Sequence, residues 1–253
     1  VKVYDDVNDR YRTVGIFKLL PKLTVAWVNS ALPYVEEDAK FTGTGFPADS
    51  TLDTIVIGGE EIDIVLDPID DYGNFTTTVE VPHVSGGGLA VAVSIEGEDR
   101  DGKAVKVTGT LTIEPHLLDV TTGDYDVGVL EPDGTWTDFA DADVFAGNPI
   151  RLVGWGFLAG EAVTVKIGNS TKTKYTATIM SGSVAGDDGD LEAVVMVPVN
   201  KPFSRGVYDV DIDVAGSTTT NKDSLAEIMD IRARTDLYAK LFVGLDDEGG
   251  LDF

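Results

Sequence analysis

Apolar and polar residues alternate in short runs along most of this chain. Leu23, Val25 and Trp27, for example, are separated by Thr24 and Ala26, and clusters of Gly, Pro, Asn and Asp divide one run from the next. A period of two predicts half-buried strands, and closely spaced turn signals predict an antiparallel sandwich. One segment, 224–234, is ambiguous because its apolar residues suit either a short helix or an irregular strand.

Two phrases recur in the same order. Gly-x-Gly-Phe occurs at 43–46 and again at 154–157, and an acidic glycine turn leading into a valine-rich strand follows at 71–82 and at 188–198. The copies lie about 110 residues apart, which is the length of a domain. The phrase lacks the third glycine and the following helix of a nucleotide-binding motif, so we interpret it as structural.

The recurring phrases predict how the chain divides. The predicted parts are an N-terminal strand segment at 1–20, a first β-sandwich at 21–114 and a second at 115–253. An inserted hairpin at about 124–137, with a Pro-Asp-Gly turn, and an acidic C-terminal tail belong to the second part.

The Gly-x-Gly-Phe strand with its small-residue turn and valine-rich strand resembles immunoglobulin-like repeats of the IPT/TIG type. The Asp-x-Gly phrase that leads into Val-x-Val-Pro resembles tandem domains of microbial surface proteins. The resemblance covers residues 21–215. It implies β-sandwich domains, a surface location and no catalytic residues. With the strand pattern it predicts an all-β fold of two tandem antiparallel immunoglobulin-like or jelly-roll-type β-sandwiches, and the pattern of residues 1–20 adds an extended N-terminal strand.

The charge balance is strongly acidic. The chain has 44 Asp and Glu against 19 Lys and Arg, a formal net charge of −25. Such a field repels phosphates, so we exclude nucleic acid as a partner. Three interpretations stay open: solubility in high salt, bound divalent cations, or a solvated acidic surface.

Composition also bears on the environment. The chain contains no cysteine and no glutamine, a depletion of thermolabile residues that fits a hot environment and a thermophilic source, although the low Lys content argues against the usual ion-pair pattern. No apolar stretch reaches the length of a membrane span. A first residue other than Met suggests that a signal peptide has been removed, and we expect an extracellular or cell-surface protein.

Two acid clusters occupy the same place in the two copies and are candidate calcium sites. They consist of Asp67, Asp70 and Asp71, and of Asp187, Asp188 and Asp190. Carboxylates on a glycine turn can supply the oxygen ligands that calcium prefers, although neither cluster matches an EF-hand loop. The alternative is that these side chains bond the local backbone of the turn.

Catalytic motifs are weak. His83 and His116 lie far apart in the chain, and there is no nucleophile elbow, zinc spacing or phosphate loop, so we predict that the protein is not an enzyme. Paired carboxylates for glycoside hydrolysis stay open as an alternative. Two acceptor sequons, at Asn74 and Asn169, predict a glycosylated exterior.

The N-terminus resembles the closing hairpin of a domain whose beginning is absent. Its apolar residues alternate on either side of a polar turn, and the predicted donor-strand residues are Val1, Val3, Tyr4, Val14, Ile16, Phe17 and Leu19. No closing strand is evident in the second copy. Complementary parts of this kind predict donation of the N-terminal strand to the sheet edge of a second copy, giving a homopolymer. The alternatives are that residues 1–20 pack on their own domain, or that the C-terminal segment is exchanged.

By architecture the chain resembles subunits of archaeal extracellular filaments and tubes such as cannula proteins, which implies calcium at the subunit contacts. The resulting hypothesis is a structural subunit of a filament, tube or surface layer that assembles by strand donation. The alternatives are a monomeric adhesin domain pair and, in another class, a secreted carbohydrate-binding module or glycoside-acting enzyme that contacts surface glycans.

Overall fold

The fold is built from β-strands. A computed structural model describes residues 2–5, 10–13, 20–64, 69–118, 128–130, 136–137, 144–168, 173–199 and 208–232. Those residues contain no helix, and therefore none long and apolar enough to cross a membrane. The strands, in chain order, are β1 (Lys2–Asp5), β2 (Arg10–Thr13), β3 (Lys22–Trp27), β4 (Asp38–Thr44), β5 (Thr51–Ile57), β6 (Glu60–Asp63), β7 (Phe75–Glu80), β8 (Ala90–Glu98), β9 (Ala104–Thr112), β10 (His116–Leu117), β11 (Gly128–Leu130), β12 (Trp136–Thr137), β13 (Val144–Phe145), β14 (Pro149–Trp155), β15 (Thr164–Gly168), β16 (Tyr175–Thr176), β17 (Thr178–Ser181), β18 (Leu191–Met196), β19 (Tyr208–Ala215) and β20 (Lys222–Arg232).

The chain forms two compact units. Unit 1 contains Val1–Ser30, Asp38–Val79 and Ala92–Leu111, and unit 2 contains Ala31–Glu37, Glu80–Val91 and Thr112–Phe253. Two segments that precede residue 114 thus group with unit 2. The predicted sequence boundaries at 20 and 114 stay predictions.

Unit 1 contains a pair of antiparallel sheets. Within the described ranges one has the order β3-β4-β7 and the other β6-β5-β8-β9. Their strands alternate buried and exposed side chains, and Phe41, Ile55 and Ile95 are fully buried. This division of consecutive strands between two sheets is that of an immunoglobulin-like sandwich, so the predicted fold class is confirmed.

Unit 2 repeats the arrangement with additions. One sheet has the order β12-β11-β14-β18-β17 with β10 also paired to β14, and the other has β13-β20-β19-β15-β16. Fully buried Leu152, Phe157 and Leu191 belong to its core. β11 and β12 pair antiparallel through Val129↔Thr137 and Leu130↔Trp136, and both strands fall within the predicted insertion, whose bounds stay a prediction.

The closing strand of unit 2 is present, and the expectation that the second copy lacks one is wrong. β20 pairs antiparallel with β19 from Ala215↔Lys222 to Tyr208↔Ile231, so the described part of the ambiguous segment, residues 224–232, forms the irregular strand rather than the helix. The register shifts between Val210 and Ile212, a bulge that disturbs the apolar alternation. β13 then pairs in parallel with the end of β20, through Val144↔Ile231 and Phe145↔Arg232.

The N-terminal residues form a hairpin of their own. β1 pairs antiparallel with β2 from Lys2↔Thr13 to Asp5↔Arg10, and among the described residues this two-stranded sheet joins no other. Within the described residues the partner of β1 is 10–13, and the apolar run at 14–19, predicted as the second strand of the hairpin, lies outside the described residues. Val3 and Tyr4 are in β1, whereas Val1, Val14, Ile16, Phe17 and Leu19 lie outside the described residues.

Candidate functional site

The recurring phrases meet in space in each unit. In unit 1 the amide of Phe46 donates to the carbonyl of Gly73 at 3.0 Å, and in unit 2 the amide of Phe157 donates to the carbonyl of Gly189 at 2.9 Å. Both turn glycines have positive φ angles, +76° and +84°. The acidic glycine turn therefore packs against the Gly-x-Gly-Phe strand, and this equivalence supports the duplication.

In the first turn the acid bonds to the backbone. Asp70 Oδ1 accepts from the amides of Asn74 at 2.7 Å and Tyr72 at 2.9 Å. The amide of Asn74, followed by its side chain and the amide of Tyr72, holds the pKa of Asp70 below its usual range. Asp71 is exposed, and Asp67 lies outside the described residues.

In the second turn the three predicted acids have different surroundings. Asp188 Oδ1 accepts from the amide of Asp190 at 3.1 Å, Asp187 is exposed, and Asp190 pairs with His83. No group of three or more His, Asp or Glu side chains in the described part of the chain is arranged to hold a metal ion. Calcium binding stays a prediction, and the described contacts of Asp70 and Asp188 are those of the turn-stabilising alternative.

His83 lies between two carboxylates, a cluster that the sequence did not predict. Its Nδ1 lies 2.8 and 2.9 Å from the two carboxylate oxygens of Asp190, and its Nε2 lies 3.1 Å from Glu36 Oε1. The ring of Trp155 is tilted against the imidazole, with centroids 4.7 Å apart. Four segments of unit 2 therefore contribute to this cluster: 31–37, 80–91, the 186–190 turn and β14.

The surroundings of His83 favour its charged form. Partial burial opposes the charge, but the hydrogen bonds and charges of Asp190 and Glu36 outweigh it, so the pKa of His83 is raised. Glu36 has a left-handed backbone, φ 64°, and its amide donates to the carbonyl of Val81 at 2.8 Å. A non-glycine residue holds that conformation only when its surroundings fix it. With each ring nitrogen within hydrogen-bond distance of a carboxylate, the imidazole links two acids.

A second carboxylate missed by the sequence stabilises the turn between β19 and β20. Glu161 accepts hydrogen bonds from the hydroxyl of Ser217, from Asn221 Nδ2 at 2.6 Å and from the amide of Thr218 at 2.6 Å. These bonds, led by that of Ser217, lower the pKa of Glu161 to about 2. Its contacts show a structural role in closing the sheet of unit 2.

The first sequon lies on the surface of unit 1. Asn74 is exposed immediately before β7, and Thr76 is an exposed residue within that strand. Beside them Tyr72 exposes 85 % of its area. The second predicted acceptor, Asn169, lies outside the described residues.

Each unit also has a depression on its surface. In unit 1 a groove of about 400 Å³ runs beside the start of β9; its lining is Pro21, Gly45, Phe46, Pro47, Asp99 and Lys103 to Lys106. In unit 2 a depression of about 610 Å³ is lined by Thr164, Lys166, Asp213 to Gly216 and Lys222 to Ser224. None of these described lining residues in unit 2 is aromatic, so that depression lacks the stacking surface typical of sugar-binding sites.

Comparison with known proteins gives similarity to solved structures alone. No family model and no curated protein matches the sequence. One similar structure is a tetra-tandem repeat in the extending region of a large adhesion protein, with a TM-score of 0.35, 15 % identity, and coverage of 82 % of this chain and 48 % of that one. Another is a tandem of titin immunoglobulin domains, with a TM-score of 0.32, 12 % identity, and coverage of 79 % and 90 %.

A third is a DUF4785 family protein from Legionella pneumophila, with a TM-score of 0.29, 9 % identity, and coverage of 84 % of this chain and 56 % of that one. The chain thus spans about half the length of the first and third of these structures. The assignment of an immunoglobulin-like sandwich comes from the strand pairing described above.

Proposed function

We propose that this protein is a structural subunit of an extracellular filament, tube or surface layer, which self-assembles by adding its N-terminal strand to a sheet edge of a second copy. The observation that carries the proposal is the hairpin β1–β2, which pairs only with itself among the described residues. A two-stranded hairpin alone is marginally stable in water, so it gains most by joining a larger sheet.

The acceptor in this proposal is the edge strand β9 of unit 1. Among the described residues β9 pairs on one side only, with β8, whereas its counterpart β20 in unit 2 also pairs with β13. The first residues of β9 also line the groove of about 400 Å³, and Leu20, which exposes 71 % of its area, lies next to the groove residue Pro21 in sequence. A strand that is paired on one side only is the kind of edge that accepts an added strand.

Charge sets the conditions for assembly. Copies that each have a formal net charge of −25 repel one another at low ionic strength. Divalent cations, calcium in particular, would neutralise acidic faces brought together in a polymer. Since head-to-tail strand addition does not close on itself, the product is an open filament, tube or sheet.

Deletion of residues 1–20 tests the proposal. The full chain should form polymers, visible by electron microscopy, in millimolar calcium, and lose them in chelator. The deletion variant should remain monomeric with unchanged β-sheet circular dichroism, and added peptide 1–20 should inhibit polymerisation of the full chain. Sodium chloride at equal ionic strength separates specific calcium binding from screening. Equal polymerisation by the deletion variant, or a full chain that is monomeric in every condition, would contradict the proposal.

Engineered cysteines identify the acceptor edge, because the chain contains none of its own. A set of single cysteines at Val3, Ile16 and Lys18, each combined with Thr108→Cys on β9, should include a pair that crosslinks separate copies under oxidation. Glu61→Cys on β6, the opposite edge of the same sheet, is the matched control and should not crosslink. Crosslinks at β6 instead of β9 would refute the assigned edge. Crosslinks only within one chain would support the alternative in which residues 1–20 pack on their own domain.

That the protein is not an enzyme stays a prediction. The adhesin and carbohydrate-binding alternatives predict a protein that stays monomeric in calcium, so the polymerisation experiment also discriminates these alternatives from the proposal.

A further inference from the structure

Tyr72 is a large aromatic residue that the fold does not use. It exposes 85 % of its area at the tip of the first turn. The core contacts of this turn come instead from Phe75, whose ring packs edge-on against Phe46 with centroids 5.2 Å apart. A lone exposed aromatic is unremarkable by itself, so its meaning depends on what lies beside it.

The turn holds Tyr72 and Asn74 in a fixed backbone arrangement. The amides of both residues donate to the same oxygen, Asp70 Oδ1, at 2.9 and 2.7 Å. Gly73 between them has a φ of +76°, and its amide donates to the carbonyl of Asp70 at 2.8 Å. An aromatic residue is thus held two positions before the asparagine of a sequon, at a rigid surface turn.

The sequon itself is accessible. Asn74 and Thr76 are both exposed, and the recorded side-chain contact of Asn74 is a long hydrogen bond from Nδ2 to Asp70 Oδ2, 3.3 Å. An asparagine linked to a sugar keeps one N–H on Nδ2 as a hydrogen-bond donor. In unit 2 the equivalent position is Asp190, which is occupied by its pairing with His83.

We propose that Asn74 carries an N-linked glycan and that the ring of Tyr72 packs against its first hexosamine. In the transfer step a lipid-linked oligosaccharide phosphate is the donor. A bond forms between Asn74 Nδ2 and C1 of the sugar, the bond between C1 and the phosphate oxygen breaks, and the proton lost from Nδ2 leaves with the lipid phosphate. The flat C–H face of a sugar suits the face of an aromatic ring, whose hydroxyl stays in water. The modification rests on the proposed extracellular location.

Secretion from a eukaryotic host with an oligosaccharyltransferase tests the modification. Mass spectrometry should find a glycan on the peptide that contains Asn74, and Asn74→Gln or Thr76→Ala should abolish it. Tyr72→Phe should retain occupancy, whereas Tyr72→Ala should lower it severalfold. Occupancy at Asn169 in the same molecules controls for passage through the secretory pathway. An unmodified Asn74 in secreted protein overturns the inference, whatever the state of Asn169.

A stability cycle tests the role of Tyr72. Protein from a non-glycosylating host, in which Asn74 is unmodified, should have a thermal midpoint roughly 2–6 °C below that of the glycosylated wild-type protein, the shift expected for one aromatic contact. For Tyr72→Ala, the midpoints of the glycosylated fraction and of the unglycosylated protein should differ by less than about 1 °C. An equal loss in both proteins overturns the packing of Tyr72 on the sugar.

The two proposals fail separately. Filaments formed by a protein with an unmodified Asn74 would leave the assembly proposal standing and remove the glycan. A glycosylated protein that remains monomeric in calcium would leave the glycan proposal standing and contradict the assembly proposal.

Discussion

The same turn occurs in both units and is used in opposite ways. In unit 1 the amide of Gly73 donates to the carbonyl of Asp70, and in unit 2 the amide of Gly189 donates to the carbonyl of Gly186, at 2.8 and 3.0 Å. The carbonyl of each turn glycine accepts a hydrogen bond from the amide of the phenylalanine in the Gly-x-Gly-Phe phrase of its own unit. The two backbones are therefore equivalent, although the turns 70–74 and 186–190 share only an aspartate and the turn glycine.

The difference lies in what each turn presents. In the first turn Asp70 accepts hydrogen bonds from the backbone amides of Tyr72 and Asn74, and the side chains of these two residues are exposed. The second has glycine at the equivalent of Asp70, and its last acid, Asp190, pairs with His83. Both turns thus share the same hydrogen bond between phenylalanine and glycine. The turn of unit 1 presents its side chains at the surface, whereas the turn of unit 2 links segments of its unit through Asp190 and His83.

The largest expected effect comes from adding a methyl group to either turn glycine. A Cβ on Gly73 would lie 2.2 Å from the carbonyl oxygen of Phe46, and one on Gly189 would lie 2.7 Å from that of Phe157. Because backbone must move in both cases, Gly73→Ala and Gly189→Ala should each lower the free energy of unfolding by about 2–4 kcal/mol. Urea denaturation followed by segment-resolved hydrogen exchange measures the loss in each unit.

Two glycines provide matched controls for that prediction. Gly59 and Gly160 also have positive φ angles, but a Cβ at either would meet nothing within 4 Å. Gly59→Ala and Gly160→Ala should therefore cost only the backbone strain, about 1 kcal/mol. Equal losses at all four positions would show that the contact with phenylalanine is not what fixes the turns.

A smaller, pH-dependent effect should separate the two turns. The folded-state pKa of His83 is raised, so its contribution to stability is complete below the unfolded pKa of about 6.5 and is lost as pH rises through the folded value. The pKa of Asp70 is lowered, so its contribution is present above the unfolded value and is lost as pH falls through the folded one. Unit 2 should lose the contribution of His83 as the pH becomes alkaline, and unit 1 should lose the contribution of Asp70 as the pH becomes acidic.

Urea midpoints between pH 3 and pH 9 test this contrast. His83→Gln should abolish the loss of stability between neutral and alkaline pH and leave the acid limb unchanged, and Asp70→Asn should flatten part of the acid limb. Glu36→Gln serves as the control for the contacts of His83 with Asp190 and Glu36, because it removes one carboxylate and keeps the imidazole. Unchanged alkaline behaviour in His83→Gln would show that these contacts add nothing to stability.

The smallest expected effect is that of Tyr72→Ala in protein without a glycan. A side chain that exposes 85 % of its area has little apolar surface to lose, so the free energy of unfolding should change by less than about 0.5 kcal/mol. Denaturation of protein from a non-glycosylating host measures it. A loss above about 1 kcal/mol would mean that Tyr72 stabilises the bare turn, and its role in sugar packing would need another explanation.

Much of the fold was predictable because it depends on local pattern. Alternation identified β3, and the recurring phrases identified the duplication that the Phe46–Gly73 and Phe157–Gly189 hydrogen bonds bear out. The closing strand β20 stayed one of two alternatives, because Leu225, Ile228 and Met229 lie at helical spacing and a bulge opposite them interrupts the pairing register. Local pattern fails where tertiary pairing shifts the register.

The candidate sites were harder to predict because their partners are distant in the sequence. His83 and Asp190 are 107 residues apart, and no local signal connects them. The acid clusters were visible, but the sequence could not say whether their oxygens would face an ion or the backbone. Tyr72 was two residues from a recognised sequon, and its relevance depends on an exposure that only the folded turn reveals.

The Glu161 hydrogen bonds make the β19–β20 turn tolerant of acid. With a pKa of about 2, this carboxylate keeps its charge, and its hold on the β19–β20 turn, in acid that has already neutralised most other carboxylates. The side-chain and amide hydrogen bonds that join Glu161 to residues 217–221 thus hold the β19–β20 turn together in moderately acidic solution.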